Sequence, residues 1–360
     1  MNLVIKLKRE NTLQIKLKDI TLGGNSHIYI QSMCNIKTSK FNEVINQIKE
    51  LEKSGCEIIR VSVLDMDDAN AIKEIVNNIN IPLVADIHFD PSLAIASIKA
   101  GVNAIRLNPG NIRNENDIKE IVDLCKEKNI PIRIGVNGGS LPNRAKATPE
   151  AMIEAASYHI GILEKYGFKN IVLSLKSSDI GIAEKAYELA SNKWPYPLHV
   201  GITEAGTLFS GSIKSSIGIS KILSLGIGNT IRVSLTDDPI YEVRAAKEIL
   251  NNLGLINDVP TLTSCPTCGR TQYNMIPIAK EIEEFLYTIK SDIHVAVMGC
   301  VVNGPGEARS ADIGVAGGKG EALLFKHGEP IRKIDEQDII KELKDEILKT
   351  IKEKNNAKDI

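Results

Sequence analysis

Three of the six cysteines in this 360-residue sequence lie in a pattern that suits metal binding. Cys265 and Cys268 form a Cys-x-x-Cys pair, and Cys300 follows in the segment M-G-C-V-V-N-G-P-G-E. A Cys-x-x-Cys pair lets two thiolates bind one metal centre, and a third thiolate from a distant loop makes the site tertiary. The pattern therefore predicts a metal or cluster site that is built from two segments of the chain.

The fourth ligand distinguishes the candidate metals. A structural zinc site usually has four Cys or His ligands, and neither a further cysteine nor a nearby histidine follows Cys300. The glycine-rich segment after Cys300 can turn Glu307 back towards the thiolates. Iron-sulfur clusters prefer thiolate, and one harder oxygen ligand would leave a single iron weakly held and open to a substrate oxygen. Residue chemistry favours a catalytic cluster, with structural zinc and a thioredoxin-like redox pair as alternatives.

Composition limits the classes of function. Six cysteines are too few for a disulfide scaffold in a chain of this length, and Cys34, Cys56 and Cys125 lack ligand spacing, so we expect them to be buried thiols. The formal net charge of -1 gives no basic field for nucleic acid. The amino terminus does not resemble a signal peptide, and no stretch is apolar enough to span a bilayer. We therefore expect a cytoplasmic enzyme without a nucleic-acid or membrane partner.

Short apolar runs alternate with longer helical patterns eight times ahead of the cysteines. The expected strands are 28–33, 58–63, 83–86, 104–107, 132–136, 171–175, 198–202 and 230–234. The expected helices are 41–54, 67–77, 91–100, 116–128, 149–166, 180–192, 210–225 and 240–253. Gly55, Gly101 and Gly167 follow or end three of these helices, as left-handed caps would. Eight strand-helix units predict a (β/α)8 TIM barrel, with an open doubly wound sheet as the alternative.

Polar residues mark one end of nearly every expected strand. They are Arg60, Ser62, Asp86, His88, Arg106, Asn108, Arg133, Asn137, Ser174, Lys176, Glu204, Arg232 and Ser234. The carboxyl ends of barrel strands carry the chemistry of such enzymes, so these side chains should line one mouth. Five cations stand against only two acids, and the repulsion among clustered positive charges costs free energy unless a bound anion compensates it. The pattern predicts a substrate with several negative charges, and a diphosphate fits the forked geometry of arginine.

Two of these residues have competing interpretations, and a second histidine of this half has a structural one. His88 could donate to a phosphate or a leaving oxygen, or it could be a structural histidine bonded to Asp86. Glu204 could act as an acid or base, or it could pair with a barrel cation. His199 is out of phase with Glu204, and we interpret it as a helix contact.

A polar linker at 251–260 separates the two parts of the chain. We expect a substrate-binding barrel domain at 1–255 and a small α+β domain, which carries the cluster, at 256–360. The second part has helical patterns at 275–289 and 336–354 and strand patterns at 293–297, 313–316 and 322–326. Its glycines between 314 and 320 lack the G-K-[ST] ending of a P-loop and predict a hairpin.

The motif C-P-T-C-G-R-T-Q, followed by M-G-C-V-V-N-G-P-G-E-A, resembles the bacterial 4-hydroxy-3-methylbut-2-en-1-yl diphosphate synthases, the IspG or GcpE family. The resemblance continues through V-A-D-I-H-F-D, I-R-L-N-P-G-N-I, I-R-I-G-V-N-G-G-S-L and H-V-G-I-T-E-A-G in the barrel half. It implies reduction of 2-C-methyl-D-erythritol 2,4-cyclodiphosphate by two electrons to 4-hydroxy-3-methylbut-2-enyl diphosphate, with flavodoxin or ferredoxin as electron donor.

The resemblance also implies the site residues. A 4Fe-4S cluster would be held by Cys265, Cys268, Cys300 and Glu307. The substrate would bind Arg60, Asp86, His88, Arg106, Asn108, Arg133, Asn137, Lys176, Glu204, Arg232 and Ser234, with Asn303 facing it from the cluster loop. Glu204, His88 and Glu307 would be catalytic. Family members are head-to-tail homodimers in which one subunit's cluster domain caps its partner's barrel, and the short linker here is compatible with that arrangement.

Two other classes of function remain as alternatives. One is a cluster-free barrel transferase of the pteroate or corrinoid-methyl type, because such enzymes share D-x-H and N-P-G-like strand ends. The other is a nucleic-acid or partner-binding protein with a structural zinc module.

Overall fold

The computed structural model describes residues 8–141, 146–300, 306 and 308–358. The chain forms two compact units, Met1–Leu255 and Ile256–Ile360. The boundary between the units falls inside the segment that the sequence marks as a polar linker.

The first unit is a closed barrel of eight parallel strands. The strands are β3 (Tyr29–Met33), β4 (Ile58–Ser62), β5 (Leu83–Asp86), β6 (Ala104–Arg106), β7 (Ile132–Asn137), β8 (Ile171–Lys176), β9 (His199–Val200) and β10 (Thr230–Ile231). Their order in the sheet is β8-β7-β6-β5-β4-β3-β10-β9. A parallel bridge between Leu173 and Leu198 joins the two ends of this sheet. The predicted TIM barrel is therefore confirmed, and the open doubly wound sheet is excluded.

One helix follows each barrel strand. The helices are α1 (Phe41–Lys53), α2 (Met66–Asn77), α3 (Pro91–Lys99), α4 (Glu115–Glu127), α5 (Pro149–Lys165), α6 (Ile180–Lys193), α7 (Leu208–Ser224) and α8 (Pro239–Asn252). Side chains such as Asp65 and Thr148 accept a backbone N–H of the first turn, which satisfies donors that the helix leaves free. Gly55, Gly101 and Gly167 have φ of +105°, +94° and +66°, so the predicted left-handed positions after α1, α3 and α5 are confirmed.

A short hairpin covers the amino-terminal end of the barrel. It consists of β1 (Ile15–Leu17) and β2 (Ile20–Leu22), which the sequence patterns did not reveal. Its apolar side chains pack into one buried cluster with Tyr29, Ile58, Val84, Ala104 and Val172, which lie near the starts of barrel strands. Because the hairpin covers this end, the carboxyl end remains the face at which the strands can present polar side chains.

The second unit is a five-stranded mixed sheet with helices. Its elements are β11 (Thr261–Ser264), α9 (Met275–Leu286), β12 (His294–Met298), β13 (Ile313–Gly317), β14 (Glu321–Lys326), β15 (Glu329–Asp335) and α10 (Ile339–Lys358). The strands follow in sequence order, with β11, β12 and β13 parallel and the last two pairs antiparallel. Apolar residues of both helices form one core with the sheet.

The glycine-rich segment of this unit is the hairpin that the sequence predicted. Gly317 pairs with Ala322 across β13 and β14, and the Gly318 N–H donates to the Glu321 carbonyl at 2.7 Å. The edge strands β11 and β15 were not predicted. Both are largely exposed and lack the alternation of buried apolar residues that marks a strand in a sequence. In the part of the chain that the structure describes, no helix combines the length and the apolar character that crossing a membrane requires.

Candidate functional site

Asp86, the last residue of β5, is the centre of an ion-pair cluster at the carboxyl end of the barrel. Its Oδ2 lies 3.6 Å from Arg60 Nε, and its Oδ1 lies 3.4 Å from Arg106 Nη1. Burial by itself would raise the pKa of Asp86, but Arg60, Arg106, Arg133 and His88 together lower it below its ordinary value. Asp86 is thus held as a carboxylate that orients two guanidinium groups from neighbouring strands.

Gly135 connects the ends of β6 and β7. Its carbonyl accepts hydrogen bonds from Arg106 Nη2 at 3.0 Å and from Asn108 Nδ2 at 2.9 Å, and its N–H donates to Asn108 Oδ1 at 3.0 Å. A Cβ at this position would lie 2.7 Å from Arg106 Nε. Glycine therefore lets the guanidinium of Arg106 lie against the backbone, and a larger residue would displace it.

His88 keeps an accessible ring beside this cluster. Its side chain is 48% exposed, and its Nε2 lies 3.9 Å from Asp86 Oδ1, which is too long for a hydrogen bond. Its Nδ1 lies 3.3 Å from Arg106 Nη1. The interpretation of His88 as a structural residue bonded to Asp86 therefore has no support in this geometry, and the ring remains able to meet a ligand.

Glu242, in the first turn of α8, is a site residue that the sequence patterns did not identify. It is 4% exposed, and its carboxylate accepts hydrogen bonds from Arg232 Nε at 3.3 Å, Arg232 Nη2 at 3.2 Å and Ser32 Oγ at 3.0 Å. An acidic residue in the first turn of a helix is common because it complements the helix dipole, so nothing in the sequence separated this one from others. The second acid of the barrel end is Glu242, which holds Arg232 in place.

Met33 lies between the two ion-pair groups. Its sulfur is 2.8 Å from Arg60 Nη2 and 3.7 Å from Arg232 Nη1. The predicted residues Arg60, Asp86, His88, Arg106, Asn108 and Arg232 therefore belong to one contiguous network. Asn137 is the last residue of β7, whereas Glu204 and Ser234 lie beyond the ends of β9 and β10, and within the described residues none of the three side chains makes a hydrogen bond or an ion pair to this network.

Arg133 and Lys176 are the most deeply enclosed of the predicted cations. They are 5% and 7% exposed. Arg133 Nη1 donates to Gln31 Oε1 at 2.8 Å, which is a neutral partner. Burial and the neighbouring cations lower the pKa of both groups well below their ordinary values, and burial lowers the pKa of Arg60 to about 10. The barrel interior is thus an environment in which added negative charge would be stabilised.

Glu204 has an unusual backbone. Its φ is +52°, a left-handed conformation that is uncommon for residues with a Cβ. Its side chain is exposed, and Oε1 lies 3.6 Å from the position that a Cβ on Gly139 would take. Such backbone strain is often found at ligand sites, because the surrounding structure must compensate for it.

His199 contradicts its sequence-based interpretation as a helix contact. It is 1% exposed, and its Nδ1 lies 2.8 Å from Thr230 Oγ1 on β10. The ring lines the barrel interior together with Gln31 and Arg133. The interpretation was wrong because it assumed that side chains alternate in direction from His199 to Glu204. The strand β9 contains only His199–Val200, so Glu204 lies beyond it and that alternation does not reach it.

The cysteines of the second unit lie on loops that neighbouring strands bring together. Cys265 follows β11 directly, and Gly299 and Cys300 follow the parallel strand β12. The Gly299 N–H donates to Cys265 Sγ at 3.1 Å, and the Gln272 N–H donates to the Gly299 carbonyl at 3.3 Å. The Cys-x-x-Cys loop is therefore attached to the residue that precedes Cys300.

These residues fit an iron-sulfur cluster in their chemistry. Hydrogen bonds from the backbone and side chain of Arg270 lower the pKa of Cys268, and the thiolate is the form that binds metal. An N–H donor to a ligating sulfur, such as Gly299 offers to Cys265, is one of the means by which proteins tune clusters. No three His, Cys, Asp or Glu side chains converge to hold a metal within the described ranges. The predicted residues Asn303 and Glu307 lie outside those ranges.

The other cysteines are buried thiols, as predicted. Cys34, Cys56 and Cys125 are each 6% exposed or less. Burial raises the pKa of each to about 12, so they remain protonated and do not act as metal ligands.

Comparison with known proteins identifies the family. Residues 12–247 match the GcpE TIM-barrel domain, and residues 261–349 match the GcpE protein C-terminal domain. The chain belongs to the GcpE family. The family predicted from the sequence motifs is therefore confirmed for both units.

Curated relatives span nearly the whole chain. A protein of Clostridium perfringens is 54% identical over 342 residues, which cover 94% of this chain and 98% of the relative. A protein of Geobacillus thermodenitrificans is 52% identical over 352 residues, which cover 96% of this chain and 94% of the relative. Both are named 4-hydroxy-3-methylbut-2-en-1-yl diphosphate synthase (flavodoxin). This is the activity that the sequence motifs predicted.

Solved structures resemble the barrel unit in fold alone. Dihydropteroate synthase from Stenotrophomonas maltophilia has a TM-score of 0.50 at 15% identity and covers 69% of this chain and 99% of its own. The enzyme from Xanthomonas albilineans has a TM-score of 0.50 at 14% identity, with 68% and 97% covered. At this level of identity the similarity shows a shared barrel architecture and indicates nothing about the substrate.

Proposed function

We propose that this chain is a reductive synthase that converts 2-C-methyl-D-erythritol 2,4-cyclodiphosphate to 4-hydroxy-3-methylbut-2-enyl diphosphate in non-mevalonate isoprenoid synthesis. The observation that carries the proposal is the identity of 50% or more, over nearly the full length, to relatives that bear this activity as their name. The reaction takes up two electrons and two protons, opens the cyclic diphosphate and releases one oxygen atom as water.

The barrel end suits the binding of such a substrate. Arg60, Arg106 and Arg232 present guanidinium donors whose positions are set by Asp86 and Glu242. Guanidinium groups bind phosphate oxygens with two parallel hydrogen bonds, and a donor that is already oriented loses less entropy on binding. Asn108, Arg133, Asn137, Lys176, Ser234 and Asn303 remain predicted substrate residues.

Two side chains could handle protons in this reaction. His88 combines an accessible ring with a fixed contact to Arg106, so that Nε2 can face a ligand oxygen. Glu204 presents an exposed carboxylate from a strained backbone. We assign both as acid–base candidates, because a proton donor or acceptor must come within hydrogen-bond reach of the substrate.

Cys265, Cys268, Cys300 and Glu307 would hold a 4Fe-4S cluster. When bound, the cluster would supply electrons to the oxygen-bearing carbon and a Lewis-acidic iron for the substrate oxygen. The surrounding chain prepares the ligands: Arg270 favours the thiolate form of Cys268, and the Gly299 N–H donates to the sulfur of Cys265. Glu307 is the candidate oxygen ligand because its weaker hold on iron leaves room for substrate.

The proposal includes partners and a compartment. Flavodoxin is the proposed electron donor because the relatives carry it in their name, with ferredoxin as the alternative. We further propose a head-to-tail homodimer, in which the cysteine-bearing unit of one subunit caps the barrel of its partner. A reducing cytoplasm suits three buried thiols and three ligand cysteines. The pterin or corrinoid transferase is not favoured, because it accounts for the barrel but not for the cysteine-bearing unit.

Anaerobic purification and two substitutions test the proposal. The unaltered protein should be brown, should bleach with dithionite and should turn over the cyclodiphosphate. Cys268→Ser should lose the colour and the turnover while the barrel still unfolds cooperatively, because Cys268 lies in the other compact unit. Arg106→Ala should keep the cluster but bind the cyclodiphosphate at least tenfold more weakly, as expected for loss of a charge-assisted pair. Stoichiometric zinc in a colourless, inactive protein would refute the proposal.

A further inference from the structure

A pocket lies at the amino-terminal end of the barrel, beside the turn Lys8–Asn11. Its volume is about 50 Å³. Its lining includes Arg9 of this turn, Trp194 after α6, and Asn229 directly before β10. The predicted substrate residues lie at or beyond the carboxyl ends of the strands, whereas these residues precede the amino ends of β9 and β10. The pocket is therefore at the opposite end of the barrel from the candidate substrate site.

Arg9 is a buried side chain that lines this pocket and has an unused donor. It is 7% exposed. Its Nη2 donates to the Leu223 carbonyl at 2.8 Å, but its Nε is buried and meets no hydrogen-bond partner in the described part of the chain. Burial lowers the pKa of Arg9, and the charge of the adjacent Glu10 opposes that shift. Because an unsatisfied buried donor is costly, an acceptor that enters the pocket and reaches Nε would stabilise the folded protein.

The charges around Arg9 favour an anion over water. Among the described residues, no carboxylate lies within ion-pair distance of Arg9, and residues 1–7 contain neither Asp nor Glu. The carbonyl that Arg9 binds is in the last turn of α7, where the helix dipole offsets only about half a charge. Lys8 adds a second positive charge, because its Nζ donates to the neutral Asn192 Oδ1 at 3.1 Å. Water would satisfy Nε but would leave most of this charge uncompensated.

We propose that this pocket binds phosphate, either as the free ion or as the end group of a small phosphate ester. Arg9 Nε donates to one phosphate oxygen, the Lys8 ammonium pairs with another, and the ring of Trp194 forms part of the wall. A single water needs roughly 10–15 Å³ of such space, so a pocket of about 50 Å³ holds a group of a few non-hydrogen atoms but not a nucleotide. The site lies outside the proposed active site, so the inference does not depend on the proposed function.

Fluorescence provides a direct test, because Trp194 is the only tryptophan and lines the pocket. At constant ionic strength in a chloride background, inorganic phosphate should change the fluorescence of the full chain saturably. A parallel titration with glycerol 3-phosphate identifies the source: tighter binding of the ester would assign the site to phosphate esters, and tighter binding of phosphate would assign it to the free ion. If neither compound changed the fluorescence beyond the effect of chloride, the proposal would be overturned.

Two lysine substitutions separate this pocket from phosphate bound elsewhere. Lys8→Met removes the ammonium at the pocket and should weaken phosphate binding about tenfold. The matched control Lys16→Met changes an exposed lysine of β1 that does not line the pocket, and it should bind phosphate as the wild type does. Equal binding by Lys8→Met and the wild type would count against the site.

Arsenate locates the ion without any substitution, because it replaces phosphate and scatters anomalously. Crystals of the unaltered full chain soaked in arsenate should show an anomalous peak beside Arg9. Absence of a peak there would refute the proposal. A peak without a saturable phosphate effect in solution would mean an adventitious ion only and would also overturn it.

Discussion

His159 should make the barrel unit sensitive to mild acid. It lies on α5, is 6% exposed, and accepts a hydrogen bond from the Gly110 N–H at its Nδ1, at 3.1 Å. Gly110 belongs to the turn Pro109–Asn111, which follows Asn108 of the candidate site. Burial and the charge of Arg106 lower the pKa of His159 to about 4, so that the folded protein keeps a neutral ring.

The size of the effect follows from the two pKa values. The histidine titrates at 6.5 when unfolded and at about 4 when folded. The unfolded chain therefore takes up a proton first, and stability is complete above pH 6.5, falls as the pH is lowered towards 4, and falls no further from this group below 4. Between pH 7.5 and pH 5 the linkage relation predicts a loss of about 2 kcal/mol from His159 alone.

Urea unfolding of the wild type and of His159→Gln at several pH values measures this loss. Gln keeps an acceptor for the Gly110 N–H but does not titrate. The only tryptophan, Trp194, follows α6 in the barrel unit, so its fluorescence reports the unfolding of that unit. The contributions of all other titrating groups cancel in the difference between the two proteins. If both proteins lost stability equally between pH 7.5 and pH 5, the assignment of a depressed pKa to His159 would be refuted.

Two further substitutions test the network at the barrel end. Glu242→Gln removes the charge that holds Arg232, and the loss of one partner from a buried ion pair should lower the free energy of unfolding by about 3 kcal/mol. A loss below about 1 kcal/mol would place this pair among ordinary surface pairs. Gly135→Ala should displace Arg106 and raise KM for the cyclodiphosphate at least tenfold without unfolding the protein, because Cβ would lie 2.7 Å from Arg106 Nε. The matched control Gly161→Ala, on the exposed face of α5 with nothing within 4 Å of its Cβ, should leave KM unchanged.

The barrel was predictable because its sequence signals are local. Each strand is a short apolar run followed by a helix with apolar residues every three to four positions, and the count of eight such units favours closure. The polar residues at the strand ends were predictable for the same reason, since alternate residues of a strand face the same side. The edge strands β11 and β15 and the hairpin Ile15–Leu22 were not, because exposed or very short strands lack that alternation.

By itself, the sequence determined the fold class, the family and the residue types that can bind anions and a cluster. Only the tertiary structure decided which carboxylate holds which cation: Glu242 from a helix supports Arg232, and Gln31 meets Arg133 across 102 positions of sequence. It also decided that His199 faces the barrel interior. The physical reason is that closing a barrel brings side chains from non-adjacent strands into contact, and their pairing depends on depth and direction, which local periodicity does not encode.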